Sequence, residues 1–316
     1  CTYETQIEFN NLSYGCVVAC VDQDLDGVGQ IFGLLLSHFE RFWPALVKRG
    51  YIKQLATPII RAFPKKKGNV ESFYTDSEYR QWVSSNDESK WTVKYYKGLA
   101  THSDDEAIHM FKNYNNTLYT ITYDDKTPET LNIYYGPDPD LRKKELTTDR
   151  LLPDIVGNDI SCTRHLQTHT KEFQLDNIKR KLPNVYDGLN PSRRKILCAS
   201  RKRFLSNNAD VKVFQLAGYV AEHMSYHHGS ASLEKTIVNM AQDYVGANNL
   251  PLLLPLSQFG SRFHMGKDYG APRYIKTKLN KELVQAMFKP DDDYLLEYVC
   301  DEGIYNEPVN YAPIVP

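Results

Sequence analysis

A short apolar run, residues 16–21 (CVVACV), leads without a break into three alternating acids, Asp22, Asp24 and Asp26, and then Gly27. Beyond the glycine, Ile31, Leu34, Leu35, His38, Phe39 and Phe42 recur at helical spacing. That pattern predicts a buried strand, a tight acidic turn and a helix with its apolar stripe toward a core. Three carboxylates in one turn repel, because each like charge raises its neighbours' proton affinity, and a divalent cation relieves the strain. Oxygen-only donors are hard and favour magnesium or calcium over zinc. The segment also matches the opening of a calcium-binding EF-hand loop. There the twelfth position should be a bidentate glutamate, whereas here it is Gly33, and the preceding element reads as a strand. A merely solvated acidic turn is the bland alternative. A catalytic metal site through Asp22, Asp24 and Asp26 is the reading these residues favour.

Charge is distributed unevenly along the chain. The formal net charge is only -1, but residues 176–203 hold nine Lys/Arg against two Asp, and 291–302 hold six Asp/Glu and no Lys/Arg. Phosphate contact depends on the local field, so a cationic stripe is compatible with DNA binding. Pro191 and Ser192 suit the start of a helix carrying Arg193, Arg194 and Lys195. Further helices fit 211–223 and 231–245, followed by a stretch interrupted by glycine and proline, which suggests a winged helix. Basic side chains on a helix are often no more than a solvated face. Arg193 and Arg194, however, lie at the helix end that disfavours cations, and a phosphate partner would compensate. Arg262, Lys267, Arg273, Lys276 and Lys278 add positive charge around Tyr274. A tyrosine is a poor nucleophile near neutrality, with a reference pKa of about 10, and an adjacent arginine favours the developing phenolate. Among 22 tyrosines, one Arg-Tyr pair carries little weight alone.

The 316 residues suffice for two or three domains of about 100–150 residues. Six scattered cysteines suit a reducing compartment better than a disulfide scaffold. No apolar run is long enough for a membrane span. A zinc site is disfavoured, since Cys16 and Cys20 fall inside the expected strand and His227 and His228 have no cysteine partners nearby in sequence. Cys1 at the start and the apolar end at 314–316 suggest a fragment of a longer protein.

Six segments in order, VDQDLDG (21–27), WTVKYYKGLAT (91–101), PNVYDGLNPSRRKIL (183–197), YHHGSASL (226–233), AQDYVGANNLPLLLPLSQFGSRFHMGKD (241–268) and APRYI (271–275), together resemble eukaryotic-type DNA topoisomerase II, a type IIA family. The resemblance runs over most of 12–116 and 173–316. It implies an α/β Toprim metal-binding domain at 1–116 with its N-terminal part missing, a connector or small accessory region at 117–170, and a mainly α winged-helix (α+β) cleavage domain at 171–316, continuing into a truncated downstream domain.

On that template Asp22 and Asp24 are the DxD pair and Asp26 the acid that follows, with the family's metal-binding glutamate upstream of residue 1. Lys97 falls in a KGLG motif in which Ala100 replaces glycine. Arg193, Arg194, Lys195, Arg262 and Lys267 are implied to hold DNA. His227 and His228 sit in the YHHG motif, Ser230 replaces a common glutamate, and Met265 replaces a common glycine. Tyr274 is implied as nucleophile beside Arg273. The implied cofactor is Mg2+, with ATP bound outside this stretch, since no phosphate-binding loop motif is present. The implied partners are double-stranded DNA and a second copy in a homodimer, with no membrane. A large cytoplasmic DNA virus is the expected source, which would place the enzyme in host cytoplasm at viral replication sites; a cellular source would place it in the nucleus. A gyrase-type or topoisomerase IV-type relative, a metal-dependent nuclease and a nonenzymatic winged-helix DNA binder are the alternatives.

Overall fold

The computed structural model describes residues 2–96, 98–99, 102–112, 114–148, 159–205, 207, 209–301, 304–313 and 315. The chain divides into two units, Cys1–Asp176 and Asn177–Pro316.

In the first unit, strands β1 (Val17–Ala19), β2 (Ile52–Leu55), β3 (Ile60–Pro64), β4 (Glu71–Phe73), β5 (Trp91–Tyr95), β6 (Leu118–Thr122) and β7 (Asp159–Ser161) make two sheets. One has the order β1-β2-β6-β7, parallel at β1/β2 and β6/β7 and antiparallel at β2/β6. The other is antiparallel, with the order β4-β3-β5. The larger sheet packs on fully buried Phe32, Leu36 and Leu166, with Ile52 and Ile121 as its own inward residues.

The acidic turn lies where the sequence places it, between β1 and a helix, Phe32–Phe42. The face differs from expectation. Phe32 and Leu36 are buried, whereas Ile31, Leu34 and Phe42 are 56%, 48% and 57% exposed. The helix is apolar on more than one side, so periodicity identifies the element without choosing its buried stripe. Between turn and helix the chain passes through a wider π-helical stretch, Leu25–Ile31. Here Gly27 is required by space, because a Cβ at this position would lie 2.1 Å from the carbonyl oxygen of Asp22.

Residues 117–170, expected to be a connector, contribute β6 and β7 to the main sheet and carry helices Thr127–Tyr135 and Pro139–Leu146. Their prolines open helices rather than break them. Pro139 stands in the first turn, after Asp138, whose side chain accepts from the Asp140 amide.

The second unit packs helices Pro191–Phe204, Val213–His223 and Ser230–Ala241 against a small antiparallel sheet of β8 (Val211–Lys212), β9 (Leu253–Pro255) and β10 (Lys276–Leu279), ordered β8-β10-β9. A hairpin of β11 (Tyr298–Asp301) and β12 (Ile304–Pro308) follows. Ile196, Leu197, Phe204, Leu216, Val220, Leu233 and Ile237 are fully buried in its core. The third helix stops at Ala241 rather than 245. Gln242 turns extended, and its buried amide donates to the carbonyls of Phe259 at 2.8 Å and Gly266 at 3.0 Å. A mixed α/β unit is thus followed by a mainly helical one with a small wing sheet.

Candidate active site

Two of the three acids are fixed by main-chain donors. Asp24 caps the π-helical stretch, its Oδ1 accepting from the Gly27 amide at 2.7 Å. Asp22 Oδ1 accepts from the amide of Leu99 at 2.7 Å, in the turn that follows β5. Gly98 lies against the same carboxylate, since a Cβ there would be 3.3 Å from Asp22 Oδ1. Asp22 and Asp24 are exposed and Asp26 is half-buried.

The expected three-acid cage does not form. Among the described residues, no group of three or more His, Cys, Asp or Glu side chains is placed to hold a metal ion. Magnesium nonetheless suits what remains. It dehydrates reluctantly and commonly takes one or two protein carboxylates beside water and phosphate oxygens. Asp22 and Asp24, two hard oxygen donors each oriented by a backbone amide, fit that demand. Lys97 and Ala100, the remaining expectations in this region, lie outside the described residues.

In the second unit Arg273 and Tyr274 sit on a turn that enters β10. The Tyr274 amide donates to the Ala271 carbonyl at 2.8 Å. The next residue, Ile275, is buried, and its carbonyl accepts from the Val213 amide at 3.0 Å, while that of Pro272 accepts from the Phe214 amide at 3.2 Å. The first amides of helix Val213–His223 therefore anchor the turn from below. Arg273 is exposed and Tyr274 is 70% exposed, so the phenol projects from a fixed base. His227 and His228 are exposed between the second and third helices, and His228 Nε2 lies 3.3 Å from Arg180 Nη1.

The basic motif divides. Arg194, expected to face DNA, is 4% exposed, and its guanidinium grips Asp187 through two bonds of 2.7 and 2.9 Å. Lys195 is likewise engaged, donating to Glu307 and to the Met224 carbonyl, both at 2.7 Å. Arg193 stays half-exposed beside them. Helical geometry explains the difference, since successive residues point about 100° apart and cannot share one face. Arg262 and Lys267 are both exposed on the loop that precedes the tyrosine turn.

Sequence reasoning missed Arg180, which lay inside the basic run without a distinguishing signal, and Asp187, whose burial no local pattern announces. The Leu99 amide could not have been found, because a backbone donor 77 positions from its acceptor leaves no mark on residue type.

Residues 55–150 match the family described as the C-terminal associated domain of TOPRIM, and residues 180–316 match the family described as DNA gyrase/topoisomerase IV. All of the chain aligns with DNA topoisomerase 2 of African swine fever virus (isolate Tick/Malawi/Lil 20-1/1983), 46% identical over 326 residues and covering 27% of that protein. It also aligns with the mitochondrial DNA topoisomerase 2 of Dictyostelium discoideum, 38% identical over 321 residues, covering 100% of this chain and 25% of that one. A crystal structure of the Plasmodium falciparum topoisomerase II DNA-binding, cleavage and re-ligation domain superposes with a TM-score of 0.80 at 36% identity, covering 96% of this chain and 42% of that one.

The chain belongs to the type IIA topoisomerase family. It spans about a quarter of the length of the relatives it matches. Two departures from the type IIA pattern fall on described residues, Ser230 and Met265. Met265 has φ 50, between Gly260 at φ 95 and Gly266 at φ 72. The loop thus keeps a left-handed backbone at 265, a conformation that suits glycine, with a methionine in place.

Proposed function

We propose that this chain forms the DNA-cleaving and rejoining centre of a type II topoisomerase, with Tyr274 as nucleophile. The phenolic oxygen attacks a backbone phosphorus in line and releases its proton. The bond from phosphorus to the 3′ oxygen breaks, leaving a 5′-phosphotyrosine link and a protonated 3′-hydroxyl. Attack by that hydroxyl reverses every step, so the strand is resealed with no ligase and no energy-rich cofactor. Arg273 stands beside the nucleophile, where it favours the phenolate and the extra negative charge of a pentavalent phosphorus. The histidine pair at 227 and 228 lies on the same basic unit and serves the same phosphate. Arg193, Arg262 and Lys267 hold the flanking backbone. Asp22 and Asp24 would hold magnesium, which supplies Lewis-acid stabilisation of charge on the 3′ oxygen. In the whole protein, two copies each cut one strand, and ATP drives passage of a second duplex through the break.

The observation that carries this reading is the anchored turn at 271–275, which buries Ile275 and presents Arg273 and Tyr274 to solvent. The protein should be mixed with end-labelled duplex DNA and Mg2+ and quenched with denaturant. The outcome should be a covalent 5′-linked adduct. Tyr274→Phe should reduce it on the order of a thousandfold or more. Asp24→Asn should also abolish it with the fold intact, because asparagine caps a helix as well as aspartate. Cleavage that survives Tyr274→Phe would replace this reading with a metal-dependent nuclease.

A further inference from the structure

Glu106 is a charged residue only 9% exposed, outside the acidic turn and the tyrosine site. Carboxylates are rarely so buried unless something pairs with them, and its partners lie at the two ends of one loop. On the entering side, the hydroxyl of Tyr96 donates to Glu106 Oε1, and Lys94 Nζ lies 3.1 Å from Oε2. On the leaving side, the Ser103 amide donates to Oε2 at 2.8 Å. One carboxylate therefore closes the base of the loop between 96 and 103. The loop is braced internally as well. The rings of Tyr96 and His102 stack at 4.4 Å, and the His102 amide donates to the Leu99 carbonyl at 3.3 Å. At its outer end, the Leu99 amide donates to Asp22.

We infer that Glu106 is a positioning residue for the Asp22 carboxylate, acting through Tyr96 and the loop that carries Leu99. The inference rests on the reading of Asp22 as a magnesium-holding group. A buried anion is needed here because it must accept from a hydroxyl and an amide at once while balancing Lys94 and the nearby Arg61, whose Nη1 is 3.7 Å away. A neutral side chain would accept the same bonds more weakly and leave two cations uncompensated. The loop would then hold its shape less firmly, and the amide that orients Asp22 would wander with it. Groups that orient a metal's ligands in this way influence affinity nearly as much as the ligands do.

The test uses Glu106→Gln and, as the gentler change, Tyr96→Phe, which keeps the ring stack and removes one hydroxyl. Amide hydrogen exchange is followed in the protein without metal or DNA. Exchange at Leu99 should accelerate on the order of 10-fold while the amides of β5 keep their protection. With DNA, the Mg2+ concentration giving half-maximal adduct should rise on the order of 10-fold, with the yield at saturating Mg2+ within about twofold of the parent. Unchanged Leu99 exchange in Tyr96→Phe would overturn the inference. So would acceleration spread evenly over β5 and the loop, which would make Glu106 a prop for the small sheet only. If the parent forms no Mg2+-dependent adduct, the cleavage reading fails, and the exchange data still decide whether Glu106 holds Leu99 against Asp22.

Discussion

Arg193 and Arg194 stand side by side on one helix and do different work. Asp187, fully buried, accepts from the Arg194 guanidinium, from the Leu189 amide at 2.9 Å and from the Tyr311 amide at 3.0 Å. This knot fastens the loop before the helix to a segment 124 positions later. Removing one partner of a buried pair strands the other charge, so Arg194→Ala should lower unfolding free energy by about 3–5 kcal/mol in denaturant titrations. Arg193 makes no comparable buried pair, and Arg193→Ala should change stability by less than about 0.5 kcal/mol. It should instead weaken binding to all duplex sequences and reduce the dependence of log affinity on log salt by about one. If the two variants lose equal stability, or if Arg194→Ala alone alters the salt slope, this assignment is wrong.

At the scale of elements, the tightest constraint is the passage from β1 into its helix. The backbone of Asp22 passes so close to Gly27 that any side chain at 27 meets a carbonyl oxygen, which cannot move aside without moving the acid. Gly27→Ala should therefore cost about 1–3 kcal/mol, the range for forced overpacking, and lower the thermal midpoint. Adduct formation should fall with it even at temperatures where the variant is folded, because Asp22 shifts with its own carbonyl.

The strand, the acidic turn and the helix were all legible in the sequence, since each is marked by residue type and period. The buried face of the helix was not, because Ile31, Leu34 and Leu35 are as apolar as Phe32 and Leu36. Tyr274 with Arg273 was legible only through the order of surrounding motifs. Residues 118–122 (LYTIT) had the alternation of a strand but lay among turn-forming residues, so the pairing with β2, which joins distant parts of the chain, stayed hidden. The inward turn of Arg194 was hidden for a related reason. Its partner Asp187 is close in sequence, but only the packing of Tyr311 shows that the pair is buried.

For the whole molecule, the two units should differ in their response to acid. His165 is fully buried in the first unit, with the rings of Phe32 and His169 each 5.1 Å away. Burial, and then the neighbouring His169, holds its pKa well below 6.5. The folded state thus keeps His165 neutral at a pH where the unfolded chain protonates it. Stability is fully present above the unfolded value and declines as pH falls below about 6.5, by up to about 1.4 kcal/mol per pH unit. Glu106 acts lower down. Burial opposes its ionisation, but bonds from Tyr96, Ser103 and Lys94 outweigh it and bring the carboxyl from 4.5 to about 2. Its contribution is present above pH 4.5 and is lost as pH falls toward 2. The described histidines of the second unit, at 223, 227, 228 and 264, are all exposed, and none is enclosed as His165 is. All three tryptophans, Trp43, Trp82 and Trp91, belong to the first unit, so indole fluorescence reports on it selectively. Between pH 7 and 5 the urea midpoint seen by fluorescence should fall. Exchange protection of the Ile196 and Leu197 amides, in the second unit's core, should hold nearly level. His165→Leu should flatten the fluorescence trend above pH 4.5 and leave the steeper loss below it, since Glu106 remains. A parallel decline of both probes in the parent would mean that the units unfold as one, and a slope that survives His165→Leu would move the linkage to another group.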